Sequence, residues 1–415
     1  MAEQQMITVA DLGRVVTGKT PPTAKPHLYG DGYPFITPTD IGTHRYCEPT
    51  RQLSEQGRES QRNLLLPPKA VCVTCIASVG KMCMTDRPSF TNQQINSVVV
   101  DESRYDPFFV YYLLQTQVEH LKAIAGGAAT PIINKTAFSE IKVSVPPLPI
   151  QRRIAGILSA YDDLIENSQR RIKILESMAR ALYREWFVHF RYPGHESVPL
   201  VPSPLGDIPQ GWEVRKLGEL CVVTDYVANG SFASLKENVT YRDKPDYAIL
   251  IRGTDFNSGW DGRYVYVNET SYRFLRKSEL RPMDIIVTNV GNVGTTFFVP
   301  DLGKPMTLGP NSVLVRPHFA GNFMFHFLRS DQGQHLIRSI TSGVAQPKFN
   351  KTDFRSLDVN IPPSHLLQQF EKVVEPIHAI SHKLGAICAN LRRTRDLLLP
   401  RLLSGQIDVA ALGHA

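Results

Sequence analysis

Two short stretches carry residue types whose spacing could do chemistry. Gly13-Arg-Val-Val-Thr-Gly-Lys-Thr20 spells the loop in which glycine-rich backbone N–H groups and a lysine cradle the phosphates of a nucleotide. That chemistry needs a helix starting at the Lys-Thr, so that its first N–H groups point at phosphate. Pro21 biases Thr20 away from the helical region and Pro22 does the same to Pro21, so the donors would be missing. No nucleotide cofactor is expected. Cys72-x-x-Cys75 with Cys83 offers three soft ligands, and His44 or Cys47 could complete a zinc tetrahedron. The competing reading is a set of buried structural thiols, with Cys72 in a strand and Cys75 at a turn. No metal is expected.

The elements that would position such residues occur twice. Gly127-Ala-Ala-Thr-Pro-Ile-Ile-Asn-Lys-Thr-Ala-Phe138 aligns with Gly343-Val-Ala-Gln-Pro-Lys-Phe-Asn-Lys-Thr-Asp-Phe354, and 7 of the 12 places are identical. Adding 216 also carries Pro146-Pro147 onto Pro362-Pro363. An offset of 214 places Thr74 and Gly80 on Thr288 and Gly294. In both halves the short β-branched runs Ala70-Val-Cys-Val-Thr74, Ser97-Val-Val-Val100, Asp284-Ile-Ile-Val-Thr288 and Ser312-Val-Leu-Val315 predict strands. The bulky runs from Phe108 and Phe323 predict helices, stopped by Gly126-Gly127 and by Ser342-Gly343 ahead of Pro131 and Pro347. Between and after these mixed domains lie segments of another kind. Residues 158, 161, 165, 168, 172, 175, 179, 182 and 186 keep a 4-3 apolar alternation, and the positions 216 later repeat it with weak places at Ser381, Cys388 and Arg395. Pro149 and Ser364 suit helix starts, and Pro193-Gly194 and Gly405 suit stops.

This organisation predicts an α/β (α+β) chain in which two similar domains are separated by two long helices forming an antiparallel coiled coil with pseudo-two-fold symmetry. The expected boundaries are 1–147, a helix at 148–192, 193–363, a second helix at 364–405, and a tail at 406–415. At 1.5 Å per residue each helix would run about 60 Å, long enough to hold two domains over separated features of one long ligand.

Composition narrows the function class. A chain of 415 residues, 42% apolar and 20% charged, is ordinary for a folded protein and unlike a disordered or fibrous one. The longest apolar run, residues 70–79, is about half of what a bilayer needs, and no export signal is seen near Met1, so a cytoplasmic location is expected. Six cysteines are too few for a disulfide scaffold. The net charge of +7 is not spread evenly. Residues 1–150 carry 14 basic against 13 acidic residues and residues 192–365 carry 18 against 17. The excess falls on the helical segments, with 8 against 5 in 151–191 and 6 against 3 in 366–404. Bulk charge alone is therefore weak evidence for an anionic ligand.

Pro146-Pro-Leu-Pro-Ile-Gln-Arg-Arg-Ile-Ala-Gly-Ile-Leu158 with Asp162-Asp163, and then Ala181-Leu-Tyr-Arg-Glu-Trp-Phe-Val188, closely resemble the central region of specificity subunits of type I restriction-modification systems. Ile208-Pro-Gln-Gly-Trp-Glu-Val-Arg-Lys-Leu-Gly-Glu-Leu220 resembles the opening of that family's second target-recognition domain. Val287-Thr-Asn-Val-Gly-Asn-Val-Gly294 and the stretch from Leu397 through Gly405-Gln-Ile-Asp408 are similar to further family patterns. Thr37-Pro-Thr-Asp40 and Cys72-Val-Thr-Cys-Ile-Ala-Ser78 depart from the typical pattern. The resemblance implies a non-catalytic reader of double-stranded DNA, each domain taking one half of a split asymmetric site. It also implies assembly with two methyltransferase subunits and with translocase-endonuclease subunits. In keeping with that division of labour, the chain has no Asn/Asp-Pro-Pro-Tyr/Phe motif of the kind that holds an extruded adenine. A coiled-coil scaffold that binds only proteins is the alternative from another class.

Phosphate positioning calls for Lys, Arg and loop N–H groups, and base reading for side chains that reach groove edges. In the first domain the candidates are Lys19, Arg45, Lys81, Asn92, Gln93, Asn134 and Lys135; in the second they are Arg252, Arg263, Lys277, Asn292, Lys348, Asn350 and Lys351. Asn134 and Asn350 suit helix caps equally well. Tyr33, Trp260 and Tyr264 suit the core better than a groove wall. On the helices, Arg170, Arg171, Arg180, Arg184, Arg392 and Arg393 are candidates for docking partner subunits, with a plain solvated helix face as the competing reading. Equilibrium dialysis with ATP is expected to show no saturable binding; saturable binding lost on Lys19→Ala would restore the phosphate-loop reading.

Overall fold

The chain, seen here in a computed structural model, is described for residues 4–42, 44–126, 130–260 and 262–409. The start of the first repeat motif, residues 127–129, and residues 410–415 of the expected tail lie outside the described residues. Contacts divide the chain into two units: unit 1 takes Met1–Gln169 with Ile387–Ala415, and unit 2 takes Arg170–Ala386.

Unit 1 is built on an antiparallel sheet in the order Gly13–Thr17, Ile95–Val100, Val71–Thr74, Met82–Met84. Val71 to Thr74 are all buried, as a continuous β-branched run in a strand covered on both faces should be. A two-stranded ribbon pairs Gln5–Thr8 with Lys142–Val145, and a three-stranded sheet centres on Tyr29–Ile36. Unit 2 repeats the plan. Its antiparallel sheet runs Cys221–Asp225, Ser312–Pro317, Ile285–Thr288, Thr296–Phe298, its ribbon pairs Glu213–Lys216 with Asp358–Ile361, and a five-stranded sheet contains Ala248–Ile251. The strands expected from the apolar runs are present, and so are the helices, but each helix ends earlier than its expected glycine stop: Pro107–Thr116 is followed by a second helix, Val118–Ile124, and Gly321–Arg329 by Asp331–Ser339. The phosphate-loop pattern is not a loop at all. Its first five residues form a strand, the Gly18 N–H donates to the Ile95 carbonyl, and the Lys19 N–H donates to that of Thr91, so no ring of N–H donors is left for phosphate.

Repetition reaches the individual hydrogen bond. The Thr74 and Thr288 hydroxyls donate to the carbonyls of Ser78 and Asn292 and accept from the N–H groups of Lys81 and Thr295 at 2.9 and 3.0 Å. Lys69 and Met283, 214 residues apart, hold the same left-handed turn with φ of 66° and 69°.

The two long helices span Leu148–Tyr183, extended by a π turn over Arg184–Val188, and Ser364–Leu403. Within unit 1 they run antiparallel: Asp162 meets Arg395, and three residues on, the Ile165 carbonyl accepts the Cys388 thiol at 3.8 Å. The expected seam is the buried one, including Leu158, Ile165, Ala179, Phe370, Val374, Leu384 and Leu402. Its weak place at Arg395 is an ion pair with Asp162, both side chains being largely buried.

Each unit fastens its globular part to the helices through buried polar contacts. In unit 1, Asp162 also accepts the Tyr112 hydroxyl at 2.5 Å. Arg45, 6% exposed, donates to Asp163 at 2.5 Å and Glu166 at 3.1 Å and lies over the rings of Tyr46 and Phe108. Burial pushes the Glu166 carboxyl upward while Arg45 opposes it. In unit 2 the position 216 after Asp162 is His378, whose Nε2 lies 3.1 Å from that of His326. Glu371 accepts from the Phe323 N–H at 2.9 Å and from Asn322 at 2.6 Å, capping the helix Gly321–Arg329. Around these contacts Tyr183, Trp186, Phe187, Trp212, Phe323 and Phe370 pack in tilted and edge-to-face pairs, with Phe187 edge to face at 4.8 Å from Phe370 and 4.9 Å from Phe323.

Asp162→Ala leaves the buried Tyr112 phenol without this acceptor and the Arg395 guanidinium with Asp396 alone. It is expected to cost about 3–5 kcal/mol, read as a lowered urea midpoint of the unit 1 transition. In unit 2, burial holds His326 and His378 neutral, with pKa values lowered to about 3 and about 4. The neighbouring cations Arg329 and Arg180 push His326 further down, while Glu176 opposes the lowering at His382. The unfolded chain takes up these protons near pH 6.5 and the folded one does not, so stability falls as pH drops from about 6.5 toward about 4. Denaturation curves at pH 7 and pH 5 should show this slope, and the double variant His326→Phe with His378→Phe should flatten it.

Candidate nucleic-acid interface

The residues singled out in the sequence separate into two groups. Several are committed to the fold. Arg45 is buried against the first long helix, which corrects its expected place at a groove. Asn92 is 7% exposed and closes a turn, its Nδ2 donating to Gln94 Oε1 at 2.9 Å and its Oδ1 accepting the Gln94 N–H at 3.1 Å. Asn134 and Asn350 are helix caps, each side-chain oxygen accepting an N–H at 2.8 Å, from Ala137 and from Asp353. Lys351 is ion-paired with Asp225 at 2.9 Å, and Arg252 with the buried Asp255 at 3.1 Å. The motif Asn-Lys-Thr is thus shared by both halves largely because it builds a cap.

The remaining candidates are exposed, most of them on loops, with Lys135 opening the helix Lys135–Ser139 and Lys277 in the 3-10 turn Arg276–Ser278. Lys19 and Gln93 are neighbours, since the Lys19 N–H bonds to the Thr91 carbonyl and Gln93 accepts the Thr20 hydroxyl at 2.6 Å. Lys81 is exposed, with its ammonium 3.4 Å from the Pro38 carbonyl, and Lys135 is exposed one residue after its cap. In unit 2, Arg263, Lys277, Asn292 and Lys348 are exposed, and Lys277 is fixed by its N–H to Asn229 Oδ1 at 2.9 Å.

Lys81 and Asn292 lie in or just after the loop that joins the third and fourth strands of the main sheet, and this loop is tied to the segment ahead of the capped helix. In unit 1 Ile76 bridges Ile132, the Ala77 N–H donates to the Pro131 carbonyl at 2.9 Å, and the Ile133 N–H donates to the Cys75 carbonyl at 2.8 Å. In unit 2 Val290 bridges Lys348, the Gly291 N–H donates to the Pro347 carbonyl at 2.9 Å, and the Phe349 N–H donates to the Asn289 carbonyl at 3.1 Å. The turn demands a left-handed residue, φ 61° at Ala77 and 80° at Gly291, which glycine accepts without strain.

The cysteines do not converge on one ion. Cys72 sits with Cys83 and Cys47 in one apolar cluster, Cys83 and Cys47 being 3.7 Å apart, while Cys75 packs into another. Three residues along a strand reverse the side-chain direction. Cys75 is not at the turn, because its N–H still pairs with the Gln94 carbonyl at 2.7 Å and the turn begins after it. Among the described residues no group of three His, Cys, Asp or Glu side chains is placed to hold a metal, and no helix is long and apolar enough to cross a membrane.

On the helices Arg170, Arg171, Arg180, Arg184 and Arg393 are exposed and Arg392 is half-buried. They share the helix surfaces with exposed apolar side chains that the charge pattern did not bring forward. These are Leu164, Ile387 and Leu397 in unit 1, and Ile174, Met178, Val373 and Ile380 in unit 2, all between 44% and 57% exposed. Heptad spacing, as in Leu164, Arg171 and Met178, was the available signal.

A sequence model of the type I restriction modification DNA specificity domain matches residues 1–177 and again 209–375. The chain is similar to the type I restriction enzyme MjaIX specificity subunit of Methanocaldococcus jannaschii, 26% identical over 97% of this chain and 93% of that protein. The MjaVIII specificity subunit of the same organism is 33% identical over 74% of this chain and 72% of its own length. In fold, the chain resembles the crystal structure of the S subunit of a type I restriction-modification system from M. genitalium, with a TM-score of 0.58 and 17% identity over 97% and 96% of the two chains.

Proposed function

Because the chain belongs to the specificity subunits of type I restriction-modification systems, we propose that unit 1 and unit 2 each read one half of a split, asymmetric DNA site. The observation that carries this reading is that the same main-chain bonds tie the two loops together in both units, while the side chains on them differ: half-buried Ser78 stands where unit 2 has exposed Asn292, and Thr130 where it has Gln346. Equal frames suit equal placement on a repeating duplex, and unequal side chains suit unequal half-sites.

The subunit has no catalytic role of its own, and methylation and cleavage belong to partners. Lys19, Lys81 and Lys135 in unit 1, with Arg263, Lys277 and Lys348 in unit 2, neutralise phosphates, and Gln93 and Asn292 face base edges. The long helices act as a spacer and dock two methyltransferase subunits, with translocase-endonuclease subunits joining the full complex. The exposed apolar residues on the helices, Ile174, Met178, Val373 and Ile380 among them, supply the apolar part of that docking surface, and the exposed arginines around them supply its rim.

Methylation by the purified complex should require both halves on one duplex. Scrambling either half is expected to abolish it, and equal activity after scrambling one half would refute the split-site reading. Binding should weaken steeply with salt, since each neutralised phosphate adds about one unit to the log–log slope; salt-independent binding would favour a protein-only scaffold.

A further inference from the structure

In unit 2 the two loops that are tied together end in amides that bond to nothing else in the described structure. The loop 342–348 is a closed hairpin, with the Ser342 N–H donating to the Lys348 carbonyl and the Lys348 N–H to that of Ser342, both at 2.8 Å. Gly343 turns it with φ 92°, and Val344 at its tip is fully exposed, so the hairpin stands clear of the unit. Its base is joined to the neighbouring loop by the Val290–Lys348 bridge and by the Gly291 to Pro347 hydrogen bond. Two residues past the bridge in one loop is Asn292, and two before it in the other is Gln346. Each residue is thus two positions from the same stitched point. Both are exposed, and neither side chain is bonded to another group, while the Asn292 carbonyl is pinned by the hydroxyls of Thr288 and of Thr295. The backbone below them is fixed and the amides above it are free.

We propose that Asn292 and Gln346 form one two-pronged reading element and determine the specificity of the half-site taken by unit 2. Each amide presents one donor and one acceptor, the pair that matches N7 and N6 of adenine in the major groove. The half-site of unit 2 therefore contains adenine–thymine pairs under this element, and Lys348 beside it meets phosphate. In unit 1 the same frame positions carry Ser78 and Thr130, shorter hydroxyl side chains suited to a different base edge. This inference rests on the half-site reading above and adds to it which residues choose the bases.

The test is selection of bound duplexes from a randomised pool by the chain assembled with its methyltransferase partners. The wild-type complex is compared with the variants Asn292→Ser and Gln346→Thr, which place the unit 1 residues on the unit 2 frame. Each variant should relax discrimination by about 5- to 150-fold at one or two base pairs in one half of the motif, leaving the other half as it was. Lys348→Gln should instead weaken all duplexes alike. An unchanged motif, changes in both halves, or loss of all duplex binding would each overturn the assignment, because removal of a base contact leaves the phosphate contacts in place. A motif that splits into two halves but ignores both variants sinks this inference alone, whereas a wild-type complex that enriches no split motif sinks the half-site reading with it.

Discussion

The carboxylate of Asp162 is the point on which unit 1 depends. It is 4% exposed, and a buried charge is tolerated only when its lone pairs are answered by close donors. The two donors come from places distant in sequence: the Tyr112 hydroxyl from the sheet-packed helix Pro107–Thr116, and the Arg395 guanidinium from the second long helix. One side chain thus makes the pairing of the long helices and the seating of the globular part a single event. If either contact is lost, the other is left with an expensive partner. Arg45, gripping Asp163 and Glu166 next along the same helix, extends the seat to the loop that carries it.

Unit 2 answers the same requirement with different chemistry. The place of Asp162 is taken by His378, facing His326, and the seat is completed by Glu371 at a helix start and by a cluster of six aromatic rings. A histidine pair can be held uncharged, so it needs no counter-ion, and the surroundings can be apolar. Two copies of one fold have therefore diverged in how they close their buried joints while keeping the backbone bonds of their loops. Those bonds are what hold the exposed polar residues in comparable positions in both units.

Much of this was legible in the sequence because it is periodic. The four apolar runs became strands, the 4-3 alternation became the buried seam, and the shared motif around Asn134 and Asn350 became a cap in both units. The failures share a cause. Arg45 and Asn92 look like surface residues in any local window, and only contacts with residues 118 positions away, or a turn closed by its own side chain, remove them from the surface. Arg395 reads as a flaw in the seam because its partner is on another helix 233 residues earlier. Cys75 reads as a turn because nothing local shows that the ladder continues one residue beyond the strand. Pairings across long stretches of chain leave no spacing signal, and these were the ones missed.

The paired loops are stitched chiefly by main-chain N–H and carbonyl groups, with the Thr74 hydroxyl added in unit 1 and the Thr288 and Thr295 hydroxyls and the Asn289 amide added in unit 2. The main-chain bonds are blind to side-chain identity. A lineage can exchange residues at the loop ends many times over without having to invent a new support for each. Novel preferences can then arise by small steps on an unchanged platform.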